Sequence, residues 1–128
     1  MRYPESLAKL VKNLLTALTV MAAATACGGG GEPSPSASAV EQGQRIYGRV
    51  CATCHGQDAK GMPSLGKGLR GNAFTRSLSD SELVAFLKAG RSAGDPLNET
   101  GIDMPPRGGD PTITDDELDA LVAFLRTL

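Results

Sequence analysis

The segment CATCH, Cys51 to His55, holds two of the three cysteines and the only histidine of this 128-residue chain. Three chemistries use such a cluster: a redox-active dithiol, a zinc site, and the covalent attachment of haem. Each of them needs different residues elsewhere in the chain. The remaining sequence therefore decides among the three.

Two of these chemistries lack the residues that they need. A structural zinc site takes four protein ligands, and the chain offers neither a second cysteine pair nor a second histidine. A thioredoxin-like dithiol belongs in a βαβ unit, whereas no segment alternates polar and apolar residues as a strand does. A plain disulfide between Cys51 and Cys54 leaves His55 unexplained. The motif therefore predicts one covalently bound haem c, with thioethers to Cys51 and Cys54 and with His55 as the proximal iron ligand.

The composition agrees with a small domain built around a cofactor. The chain has no Trp, two Tyr and three Phe, and a small domain with so few large side chains usually needs a staple or a cofactor. With 41% hydrophobic and 21% charged residues, a folded part is expected rather than general disorder. The net charge of −1 argues against a nucleic-acid-binding protein.

Met104 is the predicted sixth ligand of the iron. No second histidine exists, and Met1 and Met21 lie in the N-terminal segment discussed below. Met62 follows His55 too closely to reach the other face of the ring with ease. Met104 stands in GIDMPPRGG, where two prolines and the flanking glycines predict a stiff, non-helical loop that presses the thioether onto the iron.

The first 26 residues predict an export signal. Basic residues precede the apolar run LLTALTVMAAATA, residues 14–26, which is too short to span a membrane. The run leads into ATAC, which resembles the lipobox of bacterial lipoproteins, with Ala24 in the place of the usual large aliphatic residue. This resemblance implies that Cys27 becomes lipidated. The protein is then expected in the periplasm or on the outer face of a bacterial membrane, held there by a lipid anchor.

A change of composition follows Cys27. Residues 27–39 consist mostly of Gly, Ser, Pro and Ala, which cannot build a core and predict a flexible tether with a reach of roughly 20 Å. The folded domain is expected at residues 40–128.

Three segments have the period of amphipathic helices, namely residues 40–50, 79–90 and 114–128. The second and third begin with Ser or Thr followed three residues later by Glu, which is the spacing of a capping box. The segment Gly61–Arg76 is rich in glycine and has no period, so a loop is predicted there. The expected fold is all-α without a sheet.

These features resemble the class I cytochrome c family over residues 40–128. The resemblance is carried by CATCH, by MPP after Asp103, and by the terminal helices, where Gly43 and Tyr47 on one would meet Leu121 and Phe124 on the other. It implies a small all-α fold packed around one haem c, thioether attachment at the two cysteines, and axial ligation by the histidine and the methionine that follow.

Two positions remain open at this stage. Many relatives have a proline whose carbonyl accepts the Nδ1 hydrogen of the haem histidine, but Lys67 stands at that place and Pro63 occurs earlier in the loop. The carbonyl that orients His55 is therefore undecided. Arg91 follows the middle helix, where it either pairs with a haem propionate or is a solvated charge at the helix C-terminus.

An iron with His and Met at both axial positions has no open site for a substrate, so the sequence predicts a one-electron carrier and not an enzyme. Its expected partners are membrane oxidases or reductases, and it acts as a monomer or as a subunit of a respiratory complex. Two alternatives remain: a haem subunit of a periplasmic oxidoreductase or peroxidase in which Met104 is labile, and a gas sensor with five-coordinate haem.

Charge is distributed unevenly along the domain. Residues 45–91 contain eight basic and three acidic residues, and residues 92–128 contain two basic and eight acidic ones. Either the domain is polarised and docks in a salt-dependent way, or the fold mixes the two segments in space.

Overall fold

Helices make up the regular structure of the computed structural model, which describes residues 35–128. The predicted signal peptide, Cys27 and the tether up to residue 34 lie outside the described residues. Between residues 35 and 128 there is no strand, and two isolated antiparallel bridges join Met62 to Gly66 and Arg91 to Met104. The predicted all-α fold is confirmed.

Within residues 35–128 five α-helices follow one another, with a π-helical turn after the first and a 3-10 turn before the last. They are α1 (Ala37–Ile46), the π-helical turn (Tyr47–Cys51), α2 (Ala52–His55), α3 (Ala73–Ser77), α4 (Asp80–Ala89), the 3-10 turn (Pro106–Gly109) and α5 (Asp115–Leu125).

The first helix begins at Ala37, inside the segment that the sequence predicts to be tether. The side chain of Ser36 accepts a hydrogen bond of 3.2 Å from the backbone N–H of Ala39, so it caps the helix and satisfies one of its free donors. The segment is amphipathic as predicted, since Gly43, Ile46 and Tyr47 on one face of α1 and the π-helical turn are buried. The helix therefore starts at its cap and not at its first large apolar residue.

The prediction of a loop over residues 61–76 is wrong at its C-terminal end, where α3 forms. The side-chain oxygen of Asn72 accepts hydrogen bonds from the N–H groups of Phe74 and Thr75, at 2.9 and 3.2 Å. One residue thus caps a helix of five residues, which is too short to show a period in the sequence.

Helices α4 and α5 are confirmed where the capping boxes predict them. Ser79 and Glu82 form the reciprocal pair at the start of α4, and Thr114 and Glu117 do so at the start of α5. The apolar faces of both helices supply much of the buried core, whose most enclosed side chains are Leu83, Leu118, Leu121 and Val122.

The first and last helices cross at close range. A Cβ atom on Gly43 would lie 2.7 Å from the backbone carbon of Ala120 and 2.8 Å from Cβ of Phe124. Beside this contact, the rings of Tyr47 and Phe124 are 5.3 Å apart at an angle of 52°. The predicted contact between Tyr47 and Phe124 is present. The backbone that lies closest to Gly43 is that of Ala120 and not that of Leu121, whose side chain is buried in the core.

Arg126, at the end of α5, fastens the junction of α3 and α4. Its guanidinium donates to Asp80 Oδ1 at 2.8 Å, to the carbonyl of Leu78 at 2.7 Å, and to the carbonyl of Thr75.

Removing the guanidinium of Arg126 would leave these two carbonyls and the carboxylate without their partner. We expect Arg126→Ala to lower the free energy of unfolding by about 2 kcal/mol, measured by urea denaturation of the haem-loaded protein. Arg45→Ala, at an exposed position of α1, is the control, and an equal effect of the two would contradict the prediction.

Candidate haem-binding site

The four residues predicted to hold the cofactor line one cleft. Cys51, Cys54, His55 and Met104 all contribute to its wall. Most of the remaining wall is apolar and comes from the segment after the motif, from α3 and α4, from residues 97–105, and from the end of α5; it includes Leu65, Leu69, Phe74, Leu83, Phe86, Leu87, Leu97, Ile102 and Leu125. Cys27, the predicted lipidation site, lies outside the described residues.

The orientation of His55 is set by the backbone of Lys67. Nδ1 of His55 lies 2.7 Å from the carbonyl oxygen of Lys67. Because a carbonyl only accepts, Nδ1 carries the hydrogen, and Nε2 keeps the lone pair with which imidazole binds a metal. The carbonyl left undecided by the sequence is therefore that of Lys67 and not that of Pro63.

Cys51 and Cys54 lie on helical backbone and form no disulfide with each other. Burial, together with the neighbouring Cys54, raises the pKa of Cys51 to about 11. The hydroxyl of Tyr47 donates a hydrogen bond of 2.7 Å to the carbonyl of Gly56. This bond joins the π-helical turn to the end of α2, and the motif lies between its two ends.

The backbone on both sides of Met104 is fixed. The N–H of Arg91 donates to the carbonyl of Met104, the N–H of Met104 donates to the carbonyl of Arg91, and both bonds are 2.8 Å long. Gly90, with φ of +71°, permits this approach, because a Cβ atom there would lie 2.8 Å from the backbone of Pro105 and of Pro106.

Downstream of the methionine, Arg107 ties the segment to the start of α5. Its guanidinium donates to the carbonyl of Ile113 at 2.6 Å and to Asp115 Oδ1 at 2.7 Å. Hydrogen bonds from Lys88 and Arg107 lower the pKa of Asp115 below its ordinary value. The chain around Met104 is thus attached to α4 on one side and to α5 on the other.

Arg91 is not a solvated charge at the end of α4. Its side chain is 16% exposed, and its guanidinium carbon lies 4.5 Å from the ring centre of Phe74 and 4.9 Å from that of Phe86. One terminal nitrogen donates to the carbonyl of Leu97 at 3.3 Å. Nε is buried without a hydrogen-bond partner, with Asp95 Oδ2 at 3.7 Å.

The fold mixes the basic and acidic segments of the domain. Four ion pairs join a basic residue of residues 45–91 to an acidic residue of residues 92–128: Arg49–Asp110, Lys67–Glu99, Lys88–Asp115 and Arg91–Asp95. The asymmetry along the chain therefore does not become a simple division of the surface into a basic and an acidic half.

The cleft suits a haem in its chemistry. Its apolar wall favours a large macrocycle. The thiols of Cys51 and Cys54 and the imidazole of His55, with a free Nε2, line the cleft, and so does the thioether of Met104, which lies on a fixed segment. The buried, unpartnered Nε of Arg91 is a donor for a carboxylate such as a porphyrin carries. Among residues 35–128, no three His, Cys, Asp or Glu side chains form a cluster of metal ligands.

Sequence reasoning found the residues with distinctive chemistry, left the roles of Lys67 and Arg91 open, and missed helix α3. Lys67 acts through its carbonyl, and the packing of Arg91 against Phe74 depends on the unpredicted helix α3. Asn is a favoured N-cap residue, so Asn72 is the one signal of α3 that the sequence contains.

The fold and this cleft define a class I c-type cytochrome domain. The chain belongs to the family described as cytochrome C oxidase, cbb3-type, subunit III, which matches residues 38–125. Membership implies haem c and a haem-based role in electron transfer. No solved structure matches the chain. None of the helices within residues 35–128 has the length and apolar character needed to cross a membrane.

Proposed function

We propose that this protein is a one-electron carrier that holds a single haem c and exchanges electrons with a membrane oxidase or reductase complex. When bound, the haem iron supplies the one-electron change between Fe(III) and Fe(II). The observation that carries the proposal is that a histidine with a free Nε2 and a methionine on a fixed segment line the same cleft. Two such ligands leave no open position for a substrate.

In this proposal each residue of the cleft has a distinct part. Cys51 and Cys54 would form the thioethers that keep the cofactor attached, and His55 would bind the iron while the Lys67 carbonyl holds its ring in place. Met104 would be the second protein ligand of the iron, and its sulfur would favour the ferrous state and raise the reduction potential. Arg91 would donate from its buried Nε to a haem carboxylate, which would give that atom the partner that it otherwise lacks.

We further propose that the domain is exported and anchored through a lipid on Cys27, in the periplasm or on the outer face of a bacterial membrane. The support is the N-terminal sequence, with its short apolar run followed by ATAC. A family described as subunit III of a cbb3-type oxidase makes a terminal oxidase the preferred partner. The anchor would keep the carrier at the membrane surface, where such a complex is found.

Carbon monoxide tests the carrier function on the unmodified protein. We expect the visible spectrum of the reduced protein to stay the same under the gas, because Met104 occupies the sixth position, and we expect a redox titration to follow a single one-electron step. Rapid formation of a carbon monoxide complex would show an open position and overturn the carrier proposal in favour of an enzyme or a gas sensor.

A further inference from the structure

A loop of residues 92–103 leads from α4 to Met104, and its two ends are brought together by the paired backbones of Arg91 and Met104. Within the loop the backbone forms turns and no helix or strand. Whatever holds this loop in shape also restrains the methionine at its end.

The hydrophobic core of the polypeptide does not hold the loop. No residue of 92–103 is among the buried hydrophobic residues of the core. Its two large aliphatic side chains, Leu97 and Ile102, are 62% and 43% exposed and line the haem cleft. Within the polypeptide, the loop is therefore held in shape by hydrogen bonds and not by packing in the core.

The side chain of Asn98 joins the two ends of the loop. Its Nδ2 donates to the carbonyl of Ser92 at 3.0 Å and to the carbonyl of Ile102 at 2.8 Å. Ser92 follows Arg91 directly, and Ile102 lies two residues before Met104. These two bonds thus lie next to the backbone pair that fixes the methionine.

The oxygen of the same amide organises the middle of the loop. Oδ1 of Asn98 accepts from the backbone N–H of Thr100 at 3.1 Å, from the Thr100 hydroxyl at 3.1 Å, and from the N–H of Gly101 at 3.0 Å. The opposite orientation of the amide would set its N–H groups against other donors, so the network determines which atom is the oxygen. Every polar atom of this side chain has a role in the loop.

We infer that Asn98 is a positioning residue for the sixth ligand: it keeps the loop closed and thereby keeps Met104 on the iron. The inference rests on the proposed ligation by Met104. Asn98 also lines the cleft, and in this assignment it acts through the loop and not by touching the iron. The hydrogen bonds of Asn98 then determine whether Met104 keeps the sixth position of the iron closed or leaves it accessible to small molecules.

Two substitutions distinguish the role of the Nδ2 donor of Asn98 from that of its Oδ1 acceptor. Asn98→Ala removes all of its hydrogen bonds, whereas Asn98→Asp keeps the oxygen that accepts from Thr100 and Gly101 and loses the two donors to Ser92 and Ile102. In both haem-loaded variants we expect carbon monoxide to bind the reduced protein at least about tenfold faster than in the wild type, because two hydrogen bonds no longer oppose the opening of the loop. The sulfur-to-iron absorption of the oxidised protein should weaken in parallel.

Arg126→Ala is the control for a merely structural effect. It removes a network between α5 and the junction of α3 and α4, which is remote in sequence from the loop, and it should lower overall stability while the rate of carbon monoxide binding stays at the wild-type value. Urea denaturation of all variants gives the stability against which the rates are compared.

The outcomes separate this inference from the proposed function. If the wild type itself binds carbon monoxide rapidly, the carrier function fails. If the wild type is closed and both Asn98 variants are equally closed, the positioning role is wrong and the carrier function stands. If Asn98→Asp behaves as the wild type while Asn98→Ala opens, the two donors are not responsible and the inference is overturned. If Arg126→Ala opens the site as much as they do, the effect is one of general stability, which also overturns it.

Discussion

Replacing Met104 by alanine is expected to open the sixth position and to turn a protein that ignores carbon monoxide into one that binds it. The apparent affinity of a ligand is reduced by the fraction of molecules in which its position is free. If Met104 leaves the iron in about one molecule in a hundred, its removal raises the affinity for carbon monoxide by about a hundredfold. The reduction potential should fall at the same time, because methionine sulfur favours the ferrous state. Optical titration with the gas and with a redox mediator measures both effects.

Met62→Ala is the matched control. Met62 is 42% exposed, and the cleft wall contains Met104 but not Met62. The control variant should keep the wild-type spectrum under carbon monoxide and the wild-type potential. Should Met104→Ala stay closed to the gas while Met62→Ala opens, the assignment of the sixth ligand would be wrong.

The sequence predicted the long helices well because their signals are local. Each capping box places its Ser or Thr and its Glu three residues apart, which is enough to mark the starts of α4 and α5. The π-helical turn at Tyr47–Cys51 has no such signal, since one residue more or less in a turn does not change the composition of the segment. Helix α3 depends on a single cap, Asn72, and its five residues are too few to show a period.

The residues of the candidate site also fall into two groups, those with a local signal in the sequence and those without one. Thiols, imidazole and thioether are rare groups in this chain, so their positions could be read directly as predicted ligands. The carbonyl that holds His55 belongs to Lys67, and any residue type would supply it, so no letter of the sequence marks it. The contacts of Arg91 with Phe74 and Phe86 depend on how α3 and α4 come together, which local patterns do not contain.

The mixing of charges shows the same limit at the level of the whole domain. Arg49 and Asp110 are 61 residues apart in sequence, yet their side chains meet at 3.4 Å. A count of charges along the chain therefore describes its segments, while docking depends on the surface that the fold makes from them.

Gly43→Val is expected to have the largest effect on the fold. A side chain at this position would enter the backbone of Ala120 and Cβ of Phe124, at 2.7 and 2.8 Å from its first atom, so α1 and α5 would have to move apart. The movement would also separate the rings of Tyr47 and Phe124, now 5.3 Å apart. Overpacking of this kind costs about 3 kcal/mol or more, a large share of the stability of a small domain. Thermal and urea unfolding of the haem-loaded variant measure the loss.

A second glycine of the same helical stretch supplies the opposite expectation. Gly48 has no atom within 4 Å of where its Cβ would be, so Gly48→Ala costs nothing in packing and gains helix propensity. It should leave the stability unchanged or raise it by up to about 1 kcal/mol. The two glycines lie five residues apart in one continuous helical stretch and differ in the space beside them, so opposite signs attribute the loss at Gly43 to the crossing of α1 and α5. Losses of similar size at both positions would instead point to a general intolerance of this stretch, and the close approach of the two helices would then not explain the glycine.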